Sequence, residues 1–163
     1  MTEPTHLAES LNGFVAQPGL FWFPSFVDAT AGLNAQQAAS VPAARFNSVW
    51  AVTLHLTLCQ RFALAILSGK ADAESIFADG AWPAPRDPES QAAWQEAKAD
   101  LLEVNRAFSA CVAALPPETM ETELAPVGMK RFQYIQGHLA HNSYHLCEIV
   151  SVRHMLGLWL ENT

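Results

Sequence analysis

The 163-residue chain is half apolar and only 15% charged, with nine basic against sixteen acidic residues and a net charge of −7 at neutral pH. That length fits a single domain, residues 1–163, able to bury a core of its own. An acidic surface without any Lys/Arg run repels phosphate backbones and excludes nucleic acid as a partner, while a charged fraction below the usual ~25% leaves room for an oligomeric interface.

The first ten residues, MTEPTHLAES, carry acids where a signal peptide needs a basic stretch followed by an apolar one. Together with three widely spaced cysteines, Cys59, Cys111 and Cys147, too few and too scattered for a disulfide framework, this predicts a cytoplasmic protein. Apolar residues from Leu7 to about Thr30 predict a helix that Pro18-Gly19 kinks or splits. A connector with one short helical turn follows, ending near Pro42.

The second long helix is predicted from a cap at Asn47 or Ser48, through VWAVTLHLTLCQRFALAIL, to a stop at Ser68-Gly69. It is apolar nearly all round, as a helix packed on several sides must be, yet no run reaches the ~18–20 uninterrupted apolar residues of a membrane span. Lys70 to Asp87 reads as a connection with a turn around Glu74 to Phe77. Asp87-Pro88-Glu89 then gives a cap, a proline and a first-turn acid, predicting a third helix to about Leu115, with Ala93, Ala97, Leu101, Val104 and Phe108 inward, stopped by Pro116-Pro117. After a loop over 118–128, a fourth helix is expected from about Lys130 to Trp159. No segment has the period-two alternation of a strand, so the class is an all-α four-helix bundle.

The chemistry is expected in the fourth helix. His141 and His145, four residues apart, share one face with Cβ atoms roughly 5–6 Å apart, close enough to hold one ion while another helix completes its coordination. His138 and Glu148 fall on the same stripe. His55 stands alone in the middle of the most apolar helix, where a buried imidazole needs a partner. If the second and fourth helices are neighbours, one ion satisfies all three rings, and neutral imidazoles suit Zn, Ni, Fe or Cu. The competing reading makes His55 a core residue bonded to a backbone carbonyl, with His141 and His145 on a solvated groove. His138 could replace one ligand or line the pocket, and Cys59, one turn after His55, reads as a small buried hydrophobe before it reads as a thiolate. His6 and His154 have no supporting geometry. A zinc-protease helix would need Glu where Asn142 stands, and the paired Glu-x-x-His motifs of a ferritin-like di-iron site are not present.

Over nearly its whole length the chain resembles the DinB-like metalloenzyme family. The resemblance rests on NSVWAVTLHLTLCQRFALAILSG with its mid-helix histidine, on AWPAPRDPESQAAWQEAKADL with the spaced Trp82 and Trp94, and on HNSYHLCEIVSVRHMLG. It implies an up-down-down-up four-helix bundle, often dimeric, in which His55, His141 and His145 bind a divalent metal, commonly zinc or nickel. Characterised relatives include transferases and isomerases that use low-molecular-weight thiols. This chain departs just after the second histidine of the pair, where Gly-Gln is common and Cys147-Glu148 stands instead, which loosens any inherited substrate.

The expected function is therefore a metal-dependent enzyme of thiol-transferase or hydrolase type acting on a small-molecule substrate, with Glu148, Asn142 and Tyr144 as candidate groups behind the ligands. The alternative is a stress-response module that binds a metal or small ligand without turnover. A strip of small uncharged residues, Gln133, Gln136, Ala140, Ser143, Cys147, Ser151 and His154, is expected to be either an internal helix contact or the face of a homodimer.

Overall fold

The computed structural model describes residues 2–160. Its helices are α1 Glu3–Ala16, α2 Phe26–Thr30, α3 Ala35–Ala39, α4 Val49–Leu67, α5 Gln91–Ala113 and α6 Arg131–Met155. The fold is all-α apart from a two-residue antiparallel ladder, β1 Glu123–Leu124, inside the expected loop, with β2 Met129–Lys130, at the expected start of the fourth helix.

The four long helices form a ring in which α5 packs on α1 and α4, and α6 packs on the same two. Residue pairs give their senses. Trp50 and Trp94, each in the first turn of its helix, meet with ring centroids 5.3 Å apart, so α4 and α5 run side by side in the same direction. Asn47, just before α4, bonds Glu148 towards the end of α6, so those two run in opposite directions. The connection from Ser68 to Ser90 must therefore return along the bundle, and it passes over the histidines on the way.

The ends of the helices explain where expectation and structure part. The first segment does split: α1 stops at Ala16, and the chain turns back so closely that a Cβ on Gly13 would lie 2.6 Å from Leu20 and 2.7 Å from Phe21. Phe14, Phe21 and Phe23 then cluster with centroids 5.1–5.2 Å apart. Ser48 caps α4, accepting from the Ala51 N–H, and Gly69 at φ 69° closes it. The third long helix starts later than expected: Ser90, not Asp87, accepts from the Ala93 N–H, and Asp87 instead closes a turn by accepting from the Ser90 N–H. The fourth ends at Met155, not Trp159. There Gly157 adopts φ 73°, and the Leu158 and Gly157 N–H groups bond back to Arg153 and His154, a left-handed C-terminal cap.

Two apolar clusters fill the interior. One joins Val15, Trp50, Leu56, Trp94, Leu101, Leu146 and Ile149; the other joins Leu11, Ala63, Phe108, Val112, Met120 and Ile135. Each large side chain fully withdrawn from water contributes roughly 1.5–3 kcal/mol, and the Trp94 indole N–H is also satisfied, donating to the Leu33 carbonyl at 3.1 Å. Among the described residues α4 is the one helix long and apolar enough to cross a membrane. Most of it is buried between α5, α6 and the short α3, the pattern of a core helix. Arg153 is buried too, its guanidinium donating to the Ala29, Ala31 and Leu158 carbonyls and tying the end of α2 to the end of α6. The small strip on α6 faces out: Gln133, Gln136, Ala140, Ser143, Cys147 and Ser151 are exposed and His154 is half-buried. That removes the internal-contact reading of the strip.

Candidate metal centre

Because α6 is helical through both residues, His141 and His145 leave it one turn apart on the side facing α4, and His55 leaves α4 towards them. The three side chains offer ligand nitrogens that all lie within 4.8 Å of one another. His55 Nε2 stands 3.2 Å from His141 Nε2. Two nitrogens at ~2.0–2.1 Å from one tetrahedral ion stand about 3.3 Å apart, so that pair is already at chelating separation.

The outer nitrogens fix which atoms face inward. His55 Nδ1–H donates to the Ala81 carbonyl at 2.7 Å, and His145 Nδ1–H donates to Glu148 Oε2, also at 2.7 Å. With those protons placed on Nδ1, the Nε2 lone pairs of both rings are left for an ion. Glu148 is itself held, its Oε1 accepting from Asn47 Nδ2 at 3.0 Å. His141 differs, since its buried Nδ1 has no hydrogen-bond partner. The donor set thus fits a divalent metal ion: three imidazoles, two of them oriented from behind.

Burial favours the neutral form of His55 and His141. Burial, and then the neighbouring His145, lower the pKa of His55. His141 is pushed down to about 4, chiefly by burial and next by the charges that His145, His55 and His138 would carry. Cys59 Sγ lies 3.5 Å from His55 Nε2, but burial raises its thiol to about 11, so it remains protonated.

Both competing readings of His55 were therefore partly right: one of its nitrogens bonds a backbone carbonyl and the other meets His141. His138 is not in the cluster. It packs edge-on between Phe108 and Tyr134, and burial holds its pKa at about 4. Of the groups expected behind the ligands, Glu148 is in place and Tyr144 stands edge-on to His145 with centroids 4.9 Å apart. Asn142 does not face the histidines. One residue further round α6 than His141, it turns into the core, where its Oδ1 accepts from Gln60 at 3.5 Å.

Three contributors were not foreseen. Trp82 stacks on His55 with centroids 3.9 Å apart and planes 4° from parallel. The Ala81 carbonyl next to it comes from the same returning connection, and Asn47 was expected only as a cap. The tandem Ala81-Trp82 before a proline-rich stretch marks a chain segment with limited freedom, but nothing in its composition tells which helix it crosses. A groove of about 900 Å³, lined by Trp22, Asp28, Arg153 and Trp159 among others, includes none of the three histidines. An ion needs converging lone pairs more than it needs a hollow, so the histidine cluster is the candidate metal centre.

The family model for the DinB superfamily matches residues 25–149, a span that includes all three histidines. No curated protein and no solved structure gave a match.

Proposed function

The chain belongs to the DinB superfamily, and from that premise we propose that it is a metal-dependent enzyme of transferase or hydrolase type acting on a small-molecule substrate, with His55, His141 and His145 holding a zinc or nickel ion. The observation that carries this is the convergence of three imidazoles from two helices within 4.8 Å, two with their outer nitrogens already bonded. When bound, such an ion supplies positive charge that polarises a water or a low-molecular-weight thiol and brings its proton loss towards neutral pH.

The remaining work falls to the chain. Glu148 orients His145 with one oxygen while its other oxygen accepts from Asn47 Nδ2. The Ala81 carbonyl and the Trp82 ring fix His55 from two directions. Trp82 and Tyr144, 46% and 69% exposed, each stand edge-on to His145 and give an incoming substrate two aromatic surfaces. The engagement of Glu148 by both His145 and Asn47 favours, as a second reading, a module that holds metal or ligand without turnover.

Elemental analysis of purified protein tests the site: one equivalent of metal in the parent and none in the His55→Ala/His141→Ala/His145→Ala variant is expected, and equal stoichiometry in both would overturn it. Metal-dependent turnover across a panel of thiols and electrophiles separates enzyme from binder. We propose further that the chain is cytoplasmic, where its three free thiols, one of them exposed on Cys147, stay reduced. The exposed uncharged strip on α6 is proposed as a homodimer face, and Ser143→Glu is expected to halve the mass in solution; an unchanged mass would remove that face.

A further inference from the structure

The interior holds a polar layer that the metal centre does not use. Asn12 on α1, Gln60 on α4, Asn105 on α5 and Asn142 on α6 contribute one amide from each long helix. On every helix the amide falls between a residue of one apolar cluster and a residue of the other: between Leu11 and Val15, Leu56 and Ala63, Val104 and Phe108, and Ile135 and Leu146. The four therefore lie at one level of the bundle. Gln60, Asn105 and Asn142 are each 0% exposed.

The amides pair across helices. Gln60 Nε2 donates to Asn142 Oδ1 at 3.5 Å, and Asn105 Nδ2 donates to Asn12 Oδ1 at 3.4 Å. Their capacity is not exhausted, since Gln60 Oε1, Asn105 Oδ1 and Asn142 Nδ2 are buried without partners. Such a layer lowers stability relative to close apolar packing. What buried polar pairs can supply in return is register, because they match in one alignment of the helices and in no other.

The Gln60–Asn142 pair joins the two helices that carry the histidines and lies next to His141 in sequence. Sliding α6 by one turn would bring Leu139 or Leu146 against Gln60 and strand both amides in hydrocarbon. The same slide, about 5.4 Å, would separate His55 Nε2 from His141 Nε2, which now stand 3.2 Å apart. We infer that Gln60 and Asn142 are positioning residues that lock α6 in register against α4 and so set the spacing at which His55 meets His141 and His145. This rests on the metal reading proposed above.

The test compares the full-length parent with Gln60→Leu/Asn142→Leu and with the exchanged pair Gln60→Asn/Asn142→Gln, using zinc affinity by chelator competition, thermal unfolding without metal, and imidazole NMR spectra without metal. The Leu pair is expected to melt at the same or a higher temperature yet bind zinc about 10–100-fold more weakly, with broadened or doubled His55 and His141 resonances. The exchanged pair keeps the amide contact and is expected to restore affinity and single sharp resonances. Should the Leu pair fail to fold, Gln60→Met, close in volume, takes its place with the same expectations for zinc affinity and for the resonances, and with a lower melting temperature because Asn142 then has no partner. Zinc affinity in the apolar variant equal to the parent, or no recovery in the exchanged pair, would overturn the inference. If the parent itself binds neither zinc nor nickel, the metal reading falls, and the metal-free spectra still decide the layer: sharp, parent-like resonances in the apolar variant would overturn it.

Discussion

The two apolar clusters and the polar band between them, with the histidines at its edge, are built on opposite terms. In the clusters, Trp94, Phe108, Leu11 and Leu101 are fully buried against one another and nearly all of their worth is stability. In the band, Gln60, Asn105, Asn142, His138 and His141 are buried or half-buried with side-chain atoms left unpaired, an arrangement that costs stability. A chain that selects only for folding would fill that band with leucine. The contrast teaches that stability and chemistry are separable here, each with its own residues, and that substitutions in the two regions should fail in different assays.

The largest effect on the cluster side is expected from Trp94→Ala, which opens a cavity beside Trp50 and strands the Leu33 carbonyl. It should cost about 3–5 kcal/mol by chemical denaturation, while the folded fraction keeps the parent's metal stoichiometry; a loss of metal in well-folded protein would blur the division. On the other side, Glu148→Ala removes the carboxylate behind His145. Zinc affinity is expected to fall about 10–100-fold with a change in folding stability of about 1 kcal/mol or less, and the opposite ranking would break the comparison.

Acid should find the band before the clusters. Burial holds His138 and His141 neutral, with pKa values of about 4 in the fold against 6.5 for the free side chain. As pH falls the unfolded chain takes up those protons first, so the stability present above pH 6.5 is lost progressively between 6.5 and 4. Melting temperatures recorded across that window should decline, and His138→Phe should flatten the decline; a slope unaltered by that substitution would mean that His138 is not one of the groups responsible. The smallest expected effect is that of Trp82→Phe, with stability within about 0.5 kcal/mol of the parent. Zinc addition to the parent should change tryptophan emission because Trp82 lies on His55, and the variant should lose most of that change.

Much of this was legible in the sequence. The length and all-round apolarity of α4, the proline and glycine stops, and the four-residue spacing of His141 and His145 each follow from local chemistry, and local chemistry is what a sequence displays directly. A lone imidazole in an apolar helix needs a partner, but the sequence left open whether His55 meets that pair or a backbone carbonyl, and the fold supplies both. Helix ends were read less well. Asp87-Pro88-Glu89 carries every local sign of a start, but Ser90 forms the cap, and Gly157 ends α6 before the apolar pattern does. The contributions that sequence could not display come from distant chain: the Ala81 carbonyl and Trp82 reach His55 only because the connection returns across the bundle. Gln60 was visible as the single amide within the apolar stretch of α4, but its partner Asn142 was read as a neighbour of the metal. A rotation of one residue, about 100° round the helix, is enough to turn it into the core.

The most direct trial of the central claim is a crystal of the zinc- or nickel-loaded protein with anomalous data collected at the metal edge. The account predicts one dominant peak about 2.0–2.1 Å from a ring nitrogen of each of His55, His141 and His145. A metal-saturated crystal with its peak elsewhere, or with residue 55 turned away from the pair on α6, would contradict it.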